Sequence, residues 1–382
     1  MFDFDTVADR SGSDSHKWQR YGDRDIIPMW VADMDFPSPP EILKALHQRI
    51  DHGIFGYGSP SPRLKEAILS HLYAAYGWEV DPTWIIFLPG LVTGLNVACR
   101  SWGRPGAGIL TTVPVYPPFL TAPGFAGKRL LTTRLIYSDQ RWQFDWNALQ
   151  DAISPGTAMF LLCNPHNPTG RVFTRRELEQ LADICLKSRM VICSDEIHCD
   201  LVMEPGCRHI PLASISPEVA DRTVTLMAPS KTYNIPGLGC AFAVVSNPKL
   251  RQRFKKAMSG IVPHVNVLGF VAAQAAFEFG SPWLKRVLAY LRENRDRVFQ
   301  WTRQFKELEM AQVEATYLAW IDVHSIEQTN PAAFFESGGV GLSDGAFFGA
   351  PGFVRLNFGC SRILLEKALD RMAGTILKRT HP

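Results

Sequence analysis

"LMAPSKTYNIPGLG", residues 226–239, places a single lysine, Lys231, between an apolar run and a segment rich in turn-forming residues. The turn formers that follow the lysine are Asn234, Pro236, Gly237 and Gly239. Surface lysines usually stand among other polar residues, and Lys231 does not. We therefore interpret this stretch as the carboxyl end of a buried strand that delivers a lysine into a loop.

The stretch belongs to a series of short apolar runs that alternate with amphipathic segments. The runs that we interpret as strands are 84–88, 108–113, 158–163, 190–197, 223–228 and 240–246. Helices are predicted over 91–102 and 174–188, and the second opens with Thr174 and Glu177 at capping-box spacing. Such apolar strands, separated by helices, favour an α/β fold with a mainly parallel sheet covered on both faces in three layers. Ligands of these sheets bind at the carboxyl ends of the strands.

The C-terminal part of the chain predicts a second, smaller α+β domain. A long helix is predicted over 283–309, followed by short strands and a last helix over 362–378. A chain of 382 residues is long enough for two domains. Because the two ends of a domain often meet, we assign residues 45–282 to the large domain, and residues 1–44 with 283–382 to the small one.

Composition and charge exclude several classes of protein. Net charge is +3 and the charges are mixed along the chain, so no basic stripe indicates a nucleic-acid partner. No apolar run reaches the roughly 18 residues of a membrane helix. Residues 1–22 lack the basic start and the apolar core of a signal peptide.

The 8 cysteines include no CxxC pair, and most lie in apolar, strand-like runs. This usage favours a reduced, cytoplasmic protein. Cys193, His198, Cys199 and Cys207 are close in sequence, but without paired ligand spacing they do not predict a zinc site, and we expect no metal.

Functional candidates stand directly after the predicted strands. After Pro89 and Gly90 a helix begins, and its first N–H groups, near Leu91 and Val92, are free to hold a phosphate. After the next strand, Tyr116 stands between prolines, where its ring could stack on a flat ligand or belong to the core.

Two further strand ends carry polar motifs. "NPHNPTG" (164–170) forms a rigid turn that can fix an asparagine amide. "SDEIH" (194–198) places Asp195 and Glu196 at the end of a buried strand, on opposite faces of the sheet. Because a buried carboxylate needs a partner, we expect one to face a ligand and the other to reach solvent or an arginine. His198 lies just past this strand end.

Together these strand ends supply a phosphate site, an aromatic plate, a rigid amide, a buried carboxylate and an apolar-flanked lysine. A phosphorylated aromatic cofactor that is covalently attached to lysine requires each of them. That cofactor is pyridoxal 5′-phosphate.

The sequence resembles the fold-type I pyridoxal-phosphate enzymes of the aspartate aminotransferase superfamily. Within that superfamily it is most similar to the cystathionine β-lyase (C–S lyase) subgroup of the MalY/PatB kind. The motifs that carry the resemblance are "PMWVADMDFPSPP" (28–40), "FGYG" (55–58), "NPHNPTG", "SDEIH", "PSKTYN" (229–234) and "RLNFGC" (355–360). They occur in the family's order and span nearly the whole chain.

The resemblance implies a role for each matching residue. Lys231 matches the lysine that holds the cofactor and moves the substrate Cα proton. Asp195 matches the partner of the pyridine nitrogen, and Asn167 matches the amide that binds the phenolic oxygen. His198 stands where many aminotransferases have a tyrosine, a departure shared with the MalY-like lyases. Tyr116 matches the stacking ring.

Further positions match phosphate and substrate contacts. Leu91, Val92 and Ser230 match phosphate contacts, although Ala228 stands where some relatives have a serine. Tyr57 matches a tyrosine that reaches the phosphate from the neighbouring subunit, which implies a homodimer with shared sites. Arg355 matches the arginine that binds the substrate α-carboxylate.

Taken singly, several of these residues have a simpler interpretation. Lys231 could be an ordinary surface lysine, and Tyr57 a packing residue. Arg355 could be an internal ion-pair partner of Asp33 or Asp35.

The resemblance implies an enzyme with a small amino-acid substrate. The leading hypothesis is a cysteine-S-conjugate β-lyase that releases a thiol, pyruvate and ammonia from cystathionine or a related thioether. An aminotransferase of the same fold is the alternative. A third hypothesis is a non-catalytic homologue, such as the aminotransferase-like domain of a transcription factor. The presence of Lys231 and Asp195, and the lack of room for a DNA-binding helix-turn-helix before residue 28, argue against it.

Overall fold

The computed structural model describes residues 2–380. Within that part of the chain the helices are α1 His16–Gln19, α2 Pro40–Asp51, α3 Pro62–Tyr76, α4 Leu91–Ser101, α5 Pro118–Phe125, α6 Trp146–Asp151, α7 Arg175–Lys187, α8 Pro217–Asp221, α9 Pro248–Met258, α10 Val267–Phe279, α11 Ser281–Thr302, α12 Pro331–Ser337 and α13 Arg362–Thr380. The strands are β1 Ile27–Pro28, β2 Ile85–Leu88, β3 Gly108–Val113, β4 Arg129–Ser138, β5 Arg141–Phe144, β6 Thr157–Cys163, β7 Val191–Asp195, β8 Thr223–Met227, β9 Ala241–Val244, β10 Glu309–Met310, β11 Leu318–Asp322, β12 Val340–Gly341, β13 Ser343–Asp344 and β14 Phe353–Asn357.

The central sheet has eight strands in the order β2-β9-β8-β7-β6-β3-β4-β5. Strands β4, β3, β6, β7 and β8 pair in parallel. Strand β9 is antiparallel to both β8 and β2, so β2 again runs in the direction of the parallel group. The carboxyl ends of β2, β3, β6, β7 and β8 therefore lie along one edge of the sheet.

The sheet forms the middle of three layers because its buried strands alternate their side chains between two apolar clusters. Ile109 and Leu161 pack in one cluster, and their neighbours Leu110 and Phe160 pack in the other. Helices α4 and α9 cover the first face, and α7 covers the second. This arrangement confirms the predicted α/β fold with a mainly parallel sheet.

A second sheet, antiparallel throughout, has the order β10-β11-β14-β13. The N-terminal segment joins this part of the molecule, since β1 pairs in parallel with β12. The apolar cluster beneath the second sheet includes Met29 and Phe36 from the N-terminal segment and also Tyr233 and Ile235 from the loop after β8. The loop that carries Lys231 is therefore packed against the second sheet's core.

Three features differ from the sequence prediction. Strand β9 is antiparallel, since only the lysine loop joins it to β8 and no helix makes a crossover. The hairpin β4–β5, which no prediction included, extends the sheet beyond β3. The long helix ends at Thr302 rather than 309, because residues 303–308 form turns that bury Leu308 and lead into β10.

Among residues 2–380, none of the helices is both long enough and apolar enough to cross a membrane.

Candidate functional site

The carboxyl edge of the central sheet opens into a cavity of about 950 Å³. The predicted site residues that line this cavity are Leu91, Val92, Tyr116, Asn167, Asp195, His198, Ser230, Lys231 and Arg355. The first eight follow the ends of β2, β3, β6, β7 and β8, and Arg355 enters from β14 of the second sheet. The cavity therefore lies between the two sheets.

Tyr57 is the one predicted site residue that does not line the cavity of its own chain. Its side chain lies in the segment between α2 and α3 and is fully exposed, with a relative accessibility of 108%. Its assignment to a neighbouring subunit's site stays a prediction.

Lys231 lies in the cavity wall directly after the β8 strand end. Its Nζ donates a hydrogen bond to the carbonyl oxygen of Ala32, in the N-terminal segment. Burial lowers the pKa of Lys231 to about 8, against an opposing effect of Asp33. The neutral fraction of the amine near pH 7 is therefore about a tenth, far larger than that of an exposed lysine, and the neutral form is the one that acts as a nucleophile or a base.

Asp195 and Glu196 face opposite sides of the sheet, as the strand alternation predicts. Asp195 lines the cavity, and its Oδ1 accepts a hydrogen bond from the Ile197 N–H at 3.1 Å. Burial raises the pKa of Asp195 to about 7. A cationic group placed in the cavity beside this carboxylate would favour its charged form.

Glu196 reaches neither solvent nor an arginine, contrary to the sequence prediction. It is fully buried, accepts hydrogen bonds from Ser194 Oγ at 2.8 Å and the Leu212 N–H at 3.0 Å, and lies 2.8 Å from His209 Nε2. The sequence gives no sign of this partner, because His209 is brought in by a loop 13 residues away. Glu196 therefore anchors that loop.

The "NPHNPTG" turn holds Asn167 through a dense set of internal bonds. The Gly170 N–H donates to the His166 carbonyl, and the Phe173 N–H donates to Asn164 Oδ1 at 3.1 Å. Just after the turn, buried Arg171 pairs with Glu314 at 2.8 Å. These contacts fix the amide of Asn167 at the cavity wall.

Arg355 is held by the cavity wall, and no acidic residue in the described part of the chain, 2–380, pairs with it. Its Nη1 donates to Asn167 Oδ1 at 3.0 Å, and its Nη2 donates to the Trp30 carbonyl at 2.8 Å. The guanidinium lies 4.8 Å from the centre of the Phe348 ring. Its buried Nε has no hydrogen-bond partner, so one N–H remains for a ligand.

The two acidic residues considered as ion-pair partners of Arg355 are occupied elsewhere. Asp33 pairs with Arg10 at 2.8 Å, and Asp35 pairs with Arg10 and buried Lys17 at 2.6 Å each. The ion-pair interpretation of Arg355 is therefore wrong.

His198 is a neutral, buried imidazole in the cavity wall. Burial, together with the nearby positive charges of Lys231 and Arg355, lowers the pKa of His198 to about 3. Its Nδ1 has no hydrogen-bond partner among the described residues. A buried polar atom without a partner is costly, so His198 is suited to bind an added group.

The sequence reasoning missed the residues that bring the "VADMD" segment to Lys231. Tyr317 donates from its hydroxyl to the Ala32 carbonyl at 2.9 Å. Asn357 donates to the carbonyl of Asp33 at 2.7 Å, and Asn234 donates to that of Met34 at 2.9 Å. The only signal in the sequence is the position of Asn234 and Asn357 within motifs already noted.

The N-terminus of α4 directs backbone N–H groups, which carry partial positive charge, toward the cavity. Its N-cap is Gly90, which makes no side-chain cap, and Leu91 and Val92 line the cavity beside Ser230. Uncapped N–H groups at a helix start bind anions such as phosphate.

Pyridoxal phosphate fits this set of residues. The helix start and Ser230 suit its phosphate, while the unpartnered His198 Nδ1 and the cavity carboxylate of Asp195 suit the polar atoms of its ring. Lys231 has the lowered pKa that covalent attachment requires.

Comparison with known proteins places the chain in a family. The sequence model of the family "aminotransferase class I and II" matches residues 24–372. The chain therefore belongs to the aminotransferase class I and II family.

Several individual proteins and solved structures are similar to this chain over nearly its whole length. Cystathionine beta-lyase PatB of Bacillus subtilis (strain 168) is 35% identical over 98% of this chain and 99% of its own length. The crystal structure of OvoB superposes with a TM-score of 0.96 at 47% identity, covering 98% of this chain and 99% of that one. Cystalysin from Treponema denticola, whose crystal structure contains pyridoxal 5′-phosphate, has a TM-score of 0.94 at 30% identity, with 99% of this chain and 100% of that one covered.

Proposed function

We propose that the protein is a pyridoxal-phosphate-dependent carbon–sulfur β-lyase. It cleaves the Cβ–S bond of cystathionine or a related cysteine thioether and releases a thiol, pyruvate and ammonia. The observation that carries the proposal is the convergence of Lys231, Asp195 and Arg355 on one cavity. The lyase reaction in particular is supported by the similarity to the cystathionine beta-lyase of Bacillus subtilis.

The cofactor would be held by residues from each strand end. Lys231 would bind it covalently, and Asp195 would pair with its pyridine nitrogen. Asn167 and His198 would contact the phenolic oxygen, and Tyr116 would stack on the ring. The N–H groups of Leu91 and Val92 and the hydroxyl of Ser230 would bind the phosphate.

When bound, pyridoxal phosphate supplies an aromatic ring that takes up the electron pair left on the substrate Cα. Asp195 stabilises the positive charge on the ring nitrogen as a buried anion. Burial raises its own pKa to about 7, and the ring's charge opposes that effect.

Lys231 moves the proton. Its free amine would accept the Cα proton of the substrate. The electron pair of the broken C–H bond would then form a Cα–Cβ double bond, and the Cβ–S bond would break with its pair leaving on sulfur as a thiolate, which takes up a proton. One water molecule would hydrolyse the remaining three-carbon enamine, after it tautomerises to the imine, to pyruvate and ammonia. Burial lowers the pKa of Lys231 to about 8, which makes the neutral base far more available near neutral pH than in an exposed lysine.

Arg355 binds and orients the substrate. Its Nε–H is unpartnered and buried, while its two Nη groups are already fixed by Asn167 and Trp30. A carboxylate on the Nε side would be held in a defined direction. A fixed carboxylate orients the other substituents of Cα, including the C–H bond whose proton Lys231 accepts.

We also propose a homodimer with shared sites. Tyr57 is fully exposed and follows Ile54 and Phe55, which are 66% and 57% exposed. Large apolar side chains exposed side by side are typical of an interface. Contact with a second copy would cover them and bring Tyr57 to the other copy's phosphate site.

The eight cysteines are free thiols, in keeping with a reducing, cytoplasmic setting, which we propose.

An aminotransferase is the second candidate, because the family is named for that reaction. The two are separated by incubating the loaded enzyme with L-cystathionine, with and without a keto acid. We expect thiol, pyruvate and ammonia in equal amounts without a keto acid. Amino transfer that depends on the keto acid, with no thiol released, would replace the lyase by the aminotransferase.

A further inference from the structure

The outer part of the cavity, on its solvent side, has a chemistry distinct from the inner part. We define the vestibule as His16, Arg20, Arg24, Trp30, Glu336 and Phe347, all of which line the cavity. His16, Arg20, Arg24 and Phe347 are exposed, so a substrate group there would remain near solvent. A substituent that extends from the substrate's sulfur toward solvent would lie against these residues.

The acidic residues on this side of the cavity are already engaged. Glu336 pairs with Arg24 at 3.0 Å. Asp344, also in the cavity wall, accepts the Ala346 N–H at 2.9 Å as a cap. The charges of Glu336 and Arg24 therefore compensate each other.

Arg20 is different, since no carboxylate among residues 2–380 pairs with it. Its guanidinium lies 4.6 Å from the centre of the Trp30 ring and 5.5 Å from that of Tyr21. An arginine stacked on aromatic faces keeps its N–H edges free while its plane is fixed. Arg20 thus presents guanidinium N–H groups without a carboxylate partner in the vestibule.

Trp30 connects Arg20 to the inner site. Its indole N–H donates to the Lys17 carbonyl at 3.0 Å, and the His16 ring packs edge-on at 5.1 Å. Its own carbonyl accepts the hydrogen bond from Arg355. Trp30 therefore positions two arginines, Arg355 in the inner cavity and Arg20 in the vestibule.

We propose that Arg20 is a specificity-determining residue that binds a carboxylate at the far end of the substrate's S-substituent. The inference rests on the proposed lyase function and narrows its substrate class. The preferred substrates are cysteine thioethers whose S-substituent ends in a carboxylate, so the departing thiol carries that carboxylate.

The direct test compares two thioethers that differ mainly in that charge, S-(2-carboxyethyl)-L-cysteine and S-propyl-L-cysteine. We expect the wild-type protein to favour the carboxyethyl compound roughly tenfold in kcat/KM, the size of one charge-assisted hydrogen bond near solvent. Arg20→Gln should abolish that preference and leave cleavage of the propyl compound within about twofold. Cleavage of the propyl compound also shows that the variant is folded and loaded.

A matched control is available on the same molecule. Arg253 also stacks on a tryptophan, 4.5 Å from the Trp102 ring centre, but it does not line the cavity. Arg253→Gln should keep the full preference. Equal use of both compounds by the wild type, or a preference that survives Arg20→Gln, would overturn the inference.

Sulfur-free analogues separate this inference from the lyase proposal. L-2-aminopimelate and L-2-aminoheptanoate replace the sulfur of the two thioethers by CH₂ and offer no thiolate to expel. Tighter binding of the aminopimelate, lost in Arg20→Gln, supports the inference even if neither thioether releases thiol, which would refute the lyase alone. Equal binding of the two analogues contradicts the inference even if both thioethers are cleaved.

Discussion

Asp195 and Lys231 have pKa values that burial moves toward neutrality from opposite sides, to about 7 and about 8. Perturbed values of this kind are common where a carboxylate and an amine face one enclosed space. The same low-polarity surroundings strengthen the electrostatic interaction between these residues and any charged group of a ligand in the cavity. The two residues are therefore suited to a ligand that is cationic near Asp195 and covalently bound at Lys231.

The role of Asp195 predicts a large loss of rate for a nearly isosteric change. In Asp195→Asn the shape is kept, but the amide cannot stabilise a positive ring nitrogen. We expect a loss of a few kcal/mol of transition-state stabilisation, or roughly two to four decades in kcat. Steady-state kinetics measures this, with circular dichroism to show an unchanged fold. Turnover near that of the wild type would refute the assigned role.

At the scale of single residues, nine of the ten residues that were predicted for the site line the cavity. Asn167, Asp195 and Lys231 could be found from the residues, since each lies within four residues of the end of an apolar run. Arg355 could not, because Asp33 and Asp35 were equally reasonable partners until Arg10 and Lys17 were seen to occupy them. A side chain's partner depends on tertiary contacts that spacing along the chain does not encode.

At the scale of elements, helix α3 is tied to the lysine loop by a buried carboxylate. Asp200 Oδ1 lies 2.9 Å from His71 Nε2 and accepts a hydrogen bond from the Tyr76 hydroxyl. Its Oδ2 accepts one from Thr232, the residue after Lys231, at 3.3 Å. The helix and the loop thus share one buried anion, which lies behind the cavity wall.

The pKa shifts of this cluster give its contribution a defined pH dependence. Burial would raise the pKa of Asp200, but His71 and Tyr76 outweigh it and hold that pKa below its ordinary value. Burial alone would lower the pKa of His71, but the neighbouring Asp200 carboxylate outweighs burial and raises that pKa above its ordinary value. The contribution of the Asp200 carboxylate to the free energy of unfolding is lost as the pH falls through the folded-state pKa of Asp200. The contribution of the His71 imidazolium is lost as the pH rises through the folded-state pKa of His71. Both are present between about pH 4 and pH 6.5.

Asp200→Asn should therefore lower the free energy of unfolding most within that window, by about 2–4 kcal/mol. Urea denaturation at several pH values measures it. Asp183→Asn is the control, because Asp183 and Lys187 form an exposed pair on α7 that contributes little. An Asp200→Asn deficit that does not vary with pH would contradict this account.

The order of most helices and strands along the chain was predictable from the sequence, but the pairing of the strands in the sheet was not. The capping box at Thr174 and Glu177 fixed the start of α7 correctly. The direction of β9 and the β4–β5 hairpin depend on which strands become neighbours. Residues 303–308 contain no glycine or proline, so nothing in this segment indicates that α11 ends before it.

At the scale of the whole molecule, a single chain leaves Tyr57 in solvent. If each site needs Tyr57 of the other copy, two inactive chains can complement each other. A Tyr57→Phe chain mixed with a Lys231→Ala chain should form heterodimers with one intact site each. Activity after reassembly should exceed that of both parents.

The control for this experiment is Tyr73→Phe, since Tyr73 is 61% exposed and lies outside the cavity. Homodimers of chains with this change should keep wild-type activity without a complementing variant. Absence of rescue in the mixture, or a monomer in sedimentation at working concentration, would count against the shared site.

We propose that Lys231 holds pyridoxal phosphate at the carboxyl edge of the sheet, and covalent trapping is the direct test. The purified protein should be yellow, with absorbance near roughly 420 nm. Borohydride reduction followed by peptide mapping should then place the pyridoxyl group on Lys231. Lys128, whose pKa burial also lowers but which donates to the carbonyls of Gly103 and Arg104, serves as the internal comparison. A pyridoxyl group found on Lys231 alone is the result predicted, whereas a label on Lys128 or another lysine, or no label, would contradict the claim.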